Sequence, residues 1–198
     1  MKRALFFCAA IVGTFAARDA SAQALYAGVR FGAGSPTGNF STSASGTEDP
    51  ALRGATAGAG YGLDAGIGSP LVGFYASYDR INFGCASGGA CATSGKYKLS
   101  GVAGGVRVGV PLIPMIKPWA KAGITYNEIT RTLNGTTSST GKSPGYEVGA
   151  GVDIPVLLGF FSLTPQVRWV RQKLSLGGGK RNADYYTFDI GFRIRTPI

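Results

Sequence analysis

Residues 57–67 read AGAGYGLDAGI and sort by parity into two sets. One set is Ala57, Ala59, Tyr61, Leu63, Ala65 and Ile67; the other is Gly58, Gly60, Gly62, Asp64 and Gly66. A period of two belongs to the β-strand, whose successive side chains point to opposite faces. The segment therefore needs one apolar face, and another that admits only small residues and an isolated charge.

The same period recurs along the chain. Leu25, Ala27, Val29, Phe31 and Ala33 alternate with Tyr26, Gly28, Arg30, Gly32 and Gly34. Tyr186, Phe188, Ile190, Phe192 and Ile194 alternate with Thr187, Asp189, Gly191 and Arg193. Eight such stretches of about ten residues can be read, the length a tilted strand needs to cross a bilayer. Their connections alternate as well. Residues 68–71, 111–115 and 155–160 are short links, whereas 35–54, 84–96, 132–145 and 173–183 are long and polar. Short turns at one end and long loops at the other mark an up-and-down outer-membrane barrel. A soluble barrel or sandwich would have to expose the polar parity to water, and that parity is mostly glycine. The interior of a small closed barrel suits it better. The fold class expected is all-β: an eight-stranded antiparallel up-and-down transmembrane β-barrel.

The N-terminus supports export. Lys2 and Arg3 precede an apolar run over 4–17, and Ala20-Ser21-Ala22 offers a small-residue cleavage site. The run is shorter than the roughly 20 residues a helical span needs. Residues 1–22 are expected to be a signal peptide and 23–198 the barrel. Cys8 would leave with the signal. Cys85 and Cys91 then remain in GCASGGACATSG, and in an exported chain they are expected to form a disulfide. Two sulfurs with no histidine make a poor metal site.

Within the barrel, parity sends ten charges inward. Arg30, Arg107, Lys121, Arg168 and Arg193 are five positives; Asp64, Asp79, Glu147, Asp153 and Asp189 are five negatives. An unpaired charge in a narrow lumen is costly, so a salt-bridge network is expected. It either fills the barrel structurally or forms a gated ion path. Three cations, Arg80, Lys98 and Arg171, fall instead on the lipid-facing parity at the long-loop ends of their strands. Arg80 follows Tyr78 and Arg171 follows Trp169, one outward step beyond an interfacial aromatic. There they are expected to meet the phosphates of lipopolysaccharide or a similar anionic lipid. The alternative is that they snorkel to water.

Nothing points to catalysis. The chain has no histidine to serve as a general base. GAGYG and GGGKR lack the residues of a phosphate loop. No catalytic residue, cofactor or metal is expected. The net charge of +10 favours acidic partners, but an exported barrel makes nucleic acid an improbable one.

Several segments resemble a known family. IKPWAKAGITYN (116–127), GYEVGAGVDIP (145–155), LTPQVRW (163–169) and YYTFDIGFRIR (185–195) are similar to strands of the small eight-stranded bacterial outer-membrane barrels, of the OmpA/OmpX type and the Ail/Lom-like group. The resemblance implies residence in the bacterial outer membrane, insertion by the barrel-assembly machinery and a monomer; some such barrels are lipid-modifying enzymes that lean on histidine, which this chain lacks. Two roles stay open, and loops rich in Ser, Thr, Gly and Asn favour a structural or surface-interaction one, in adhesion or the envelope, toward an extracellular ligand that the residues do not identify. The alternative is a small pore or transporter of apolar compounds. Such barrels end on an aromatic residue, whereas this chain ends at Ile198, which leaves Phe192 as its last aromatic.

Overall fold

Alternating apolar and small residues, with few helix-favouring runs, leave the backbone one way to satisfy its hydrogen bonds in lipid: strand against strand until the sheet closes. The computed structural model describes residues 24–41, 54–86, 95–110, 116–133, 136–156, 160–176 and 179–197. It contains β1 (Ala24–Thr37), β2 (Ala55–Gly68), β3 (Val72–Cys85), β4 (Lys96–Gly109), β5 (Lys117–Leu133), β6 (Thr136–Ser139), β7 (Ser143–Val156), β8 (Phe161–Leu176) and β9 (Gly179–Pro197). Eight of these form an antiparallel ring, β1-β2-β3-β4-β5-β7-β8-β9, closed where β9 pairs β1 from Ala24↔Pro197 to Thr37↔Asp184. The short β6 pairs only the end of β5 and stands outside the ring. Closure leaves the ring no free edge.

The ring strands run 14 to 19 residues rather than ten. The loops expected over 35–54, 84–96, 132–145 and 173–183 are therefore shorter, because strand continues into each of them. Polarity misled the expectation there. It reports that a segment meets water, and a strand standing in water carries polar side chains too.

The barrel reverses its polarity part-way up. Along β3 the outward residues are Phe74, Ala76 and Tyr78, then Arg80 and Asn82. The inward ones are Tyr75, Ser77 and Asp79, then Ile81 and Phe83. On β9 the outward series is Ile194, Phe192, Ile190, Phe188 and Tyr186, then Asp184 and Asn182, while Tyr185 and Ala183 turn inward. Below the change the wall is apolar outside: Leu25, Phe31, Phe74, Ile124, Phe188 and Phe192 each expose half or more of their surface. So much exposed hydrocarbon suits a lipid solvent. Above it the wall is an ordinary water-soluble sheet.

That upper part has its own apolar core of Phe40, Ile81, Phe83, Tyr97, Leu99, Ile129, Val170 and Tyr185. A 3-10 turn, Gly38–Phe40, carries Phe40 into it from the end of β1. Gly38 sits at φ +56, a conformation a side chain disfavours. Phe40 meets Phe83 and Tyr97 edge-on at 5.2 and 5.7 Å between ring centres. Phe83 in turn meets Tyr185 at 5.7 Å.

The two environments should respond differently to truncation. Phe83→Ala opens a cavity among protein atoms and should cost about 3–5 kcal/mol. Phe74→Ala should cost far less, since lipid tails flow into the space. Urea unfolding in phospholipid vesicles measures both; equal losses would contradict the assignment.

Candidate functional site

The lumen of the membrane-spanning half is filled by charge. The centre is Arg168 on β8, whose side chain is 2% exposed. Its Nη1 lies 2.9 Å from Asp79 Oδ2 and 3.1 Å from Glu147 Oε2, and its Nε donates to Asp189 Oδ2 at 3.2 Å. Arg30 Nη2 binds the same Asp79 at 2.7 Å and its Nη1 reaches Asp64 at 3.5 Å. Lys121 Nζ lies 3.0 Å from Glu147 Oε1, which also accepts from the Tyr75 hydroxyl at 2.7 Å. Arg193 then bridges Asp64 and Asp153, both at 2.9 Å. Arg107 Nη2 and Arg195 Nη2 close on Asp153 Oδ2 at 2.7 and 3.1 Å. Every one of these charges is reached from every other through ion pairs.

The ten inward charges are thus brought together, and an eleventh joins them. Arg195 shares their parity, so the network holds six cations against five carboxylates rather than five against five. Inward aromatics were also missed as partners. Trp119 Nε1 donates to Asp153 Oδ1 at 3.1 Å, and Tyr26 lies 4.5 Å beneath the Arg193 guanidinium. Parity alone could have found all three residues.

Glycine makes room for these side chains. Arg30 is the cross-strand partner of Gly62, and a Cβ at Gly62 would lie 2.6 Å from Arg30 Nε. Trp119 stands opposite Gly151, where a Cβ would come within 2.6 Å of its ring. Lys121 stands opposite Gly149, and Asp189 opposite Gly32. Large inward side chains lie across glycines, and this spacing is the alternation seen in the sequence.

A neutral polar layer separates the charges from the upper core. Gln172, fully buried, donates from Nε2 to the Asn127 carbonyl at 2.5 Å, and Asn127 Nδ2 donates to the Tyr185 hydroxyl at 3.4 Å. The lumen therefore passes from charge to amide to hydrocarbon.

On the outer wall, Tyr78, Tyr126, Tyr146, Trp169 and Tyr186 mark the polarity change, and Arg80, Lys98 and Arg171 lie just above it on the outward side. Tyr146 and Trp169 meet edge-on at 5.6 Å. The three cations differ. Arg171 is held by Asp184, with Nε at 3.0 Å and Nη2 at 2.7 Å, and lies 5.1 Å over the Trp169 ring. Arg80 and Lys98 are half-exposed and form no ion pair among the described residues. Lys142 and Lys173 are exposed; the side chains of Lys180 and Arg181 are not among those described. Cys85 ends β3, half-buried against the upper core, and Cys91 lies outside the described residues, as does the segment 1–22.

Residues 5–195 match the family model described as outer membrane protein beta-barrel domain. A search of curated proteins gives no match. Among solved structures, Neisserial surface protein A shares 18% identity at a TM-score of 0.61, covering 87% of this chain and 96% of its own. OprG from Pseudomonas aeruginosa shares 12% at 0.55, covering 90% and 98%. The attachment invasion locus protein Ail of Yersinia pestis, solved with the heparin analogue sucrose octasulfate, shares 12% at 0.53, covering 88% and 99%. At these identities the likeness is one of fold.

Arg168→Met should cost about 3–5 kcal/mol, because it strands buried carboxylates. Gly62→Leu should cost about 1–3 kcal/mol by crowding Arg30. Thermal unfolding followed by gel mobility measures both. A silent Arg168→Met would mean the charges are not mutually dependent.

Proposed function

Because the chain belongs to the outer membrane protein beta-barrel domain family, and so to the bacterial outer membrane, we propose that it is a structural and surface-interaction barrel with a shut lumen. It displays its loops above the membrane and grips anionic outer-leaflet lipid at its girdle. One observation carries this reading: among the described residues the ion-pair network, the amide layer and the Phe40 core follow one another up the lumen above its short-turn end. Water and ions would have to part several charge pairs and then cross hydrocarbon. The alternative role, passage of apolar compounds, would send them past eleven lumen charges, nine of them buried. In this reading the lumen chemistry is structural and the protein is not an enzyme.

The strands lengthen the wall above the bilayer, which lifts the loops clear of the headgroups and favours contact with something outside the cell. Lipid contact is drawn from Arg80 and Lys98, whose charge is not spent on a carboxylate among the described residues. Arg171 already holds Asp184 and serves the girdle instead, stacked on Trp169. The proposal keeps residues 1–22 as an export signal, insertion by the barrel-assembly machinery, and a Cys85–Cys91 disulfide closing the second long loop. The bridge should stabilise that loop by about 2–3 kcal/mol on the chain-entropy model.

Refolded protein in planar bilayers should show no steady conductance; stable nanosiemens channels would reverse the reading in favour of a pore. Replacing Arg80 and Lys98 by glutamine should lower stability in lipopolysaccharide-containing membranes by about 1 kcal/mol per cation, and scarcely at all in neutral detergent. Arg171→Gln should cost the same in both. An equal loss from all three variants in both media would leave only snorkelling.

A further inference from the structure

At the short-turn end the ring opens on a cavity of about 390 Å³ lined by Tyr26, Arg107, Lys117, Trp119, Asp153 and Arg195, among others. Three of these side chains are cationic and one is anionic. The anion is fully committed. Asp153 accepts from Arg107 Nη2, Arg193 Nη1, Arg195 Nη2, Trp119 Nε1 and Thr164 Oγ1. Those five donors meet a carboxylate with about four lone-pair sites. The remaining N–H groups of Arg107 and Arg195 cannot be satisfied by it, and Arg107 Nε is buried with no partner among the described residues. Among the described residues no second carboxylate lines the cavity. The surplus cation of the whole network thus falls here, with Lys117 exposed beside it.

The donors are also held in place. The Arg107 guanidinium stacks 4.4 Å over the Trp119 ring and 5.6 Å over Tyr26, while Asp153 fixes its outer nitrogen. A rigid guanidinium with one donor unpartnered among the described residues, a second guanidinium beside it and an ammonium at the mouth make a receptor for a tetrahedral oxyanion, which guanidinium binds bidentately. The cavity exceeds what a bare anion fills, and Pro70, Val110 and Pro118 give its remaining wall an apolar surface.

We propose that this vestibule binds phosphate from the periplasmic side, either as a soluble phosphate or as the headgroup of an inner-leaflet phospholipid. It is separate from the girdle cations, which sit at the opposite end of the barrel.

The chain has two tryptophans, so a Trp169→Phe background makes Trp119 the reporter. Protein refolded in maltoside micelles is titrated with inorganic phosphate, and in parallel placed in nanodiscs of phosphatidylglycerol or of a phosphate-free glycolipid. A saturable change in Trp119 fluorescence with inorganic phosphate assigns the soluble source. A change confined to phosphatidylglycerol assigns the headgroup. In either arm Arg195→Gln and Lys117→Gln should each weaken the response about tenfold, with heat-modifiable gel mobility unchanged to show that the barrel is formed. No response in either arm, or one that survives both substitutions, overturns the proposal.

Discussion

Arg168 holds three carboxylates at once, and through them it reaches every other charge in the lumen. In a membrane barrel such a group has no alternative. Lipid surrounds the wall, so any charge on the spanning half must turn inward, where the only partners are other inward charges. Removing one partner leaves another bare in a poorly solvated space. The network must therefore be nearly complete to be tolerable at all, and its side chains need volume. Glycine on the facing strand supplies it, at Gly62 for Arg30 and at Gly149 for Lys121. The low side-chain content of one parity and the charge content of the same parity are one fact.

The second constraint is the end of the lipid. Past Tyr78 on β3 and Tyr186 on β9 the outside becomes polar, and the inside becomes Ile81, Phe83 and Tyr185. The chain keeps its strand period while exchanging which face is apolar. Hydrogen bonding carries the sheet onward, and the solvent on each side decides the residue types. The upper core then closes the lumen from above, as the ion network does from within. In the proposed function, surface display and a shut lumen both come from the same long strands.

How legible this was can be seen residue by residue. The Gly58 to Gly66 alternation identified the strand, its inward face and the lumen charge Asp64 together, because period two has no competing explanation in a glycine-rich stretch. The pairing partners were not legible: that Arg168 meets Asp79 across 89 positions of sequence depends on closure and register, which no local pattern carries. Arg195 was passed over because it lies in the chain's last residues, although its parity matches Arg193. Ser35 and Lys173 were read as loop because polarity was taken for irregularity. Arg171 resembled Arg80 in sequence, and only the register Arg171↔Asp184 separates them.

The account rests on the polarity change, and β3 crosses it within a few residues. Nitroxide labels placed singly at Ala76, Tyr78, Arg80 and Asn82 in bilayers would read it directly through collision with oxygen and with a water-soluble nickel complex. Oxygen should dominate at positions 76 and 78 and nickel at 80 and 82, with the crossover between Tyr78 and Arg80. Oxygen-dominated contact at 82, or nickel-dominated contact at 76, would contradict it.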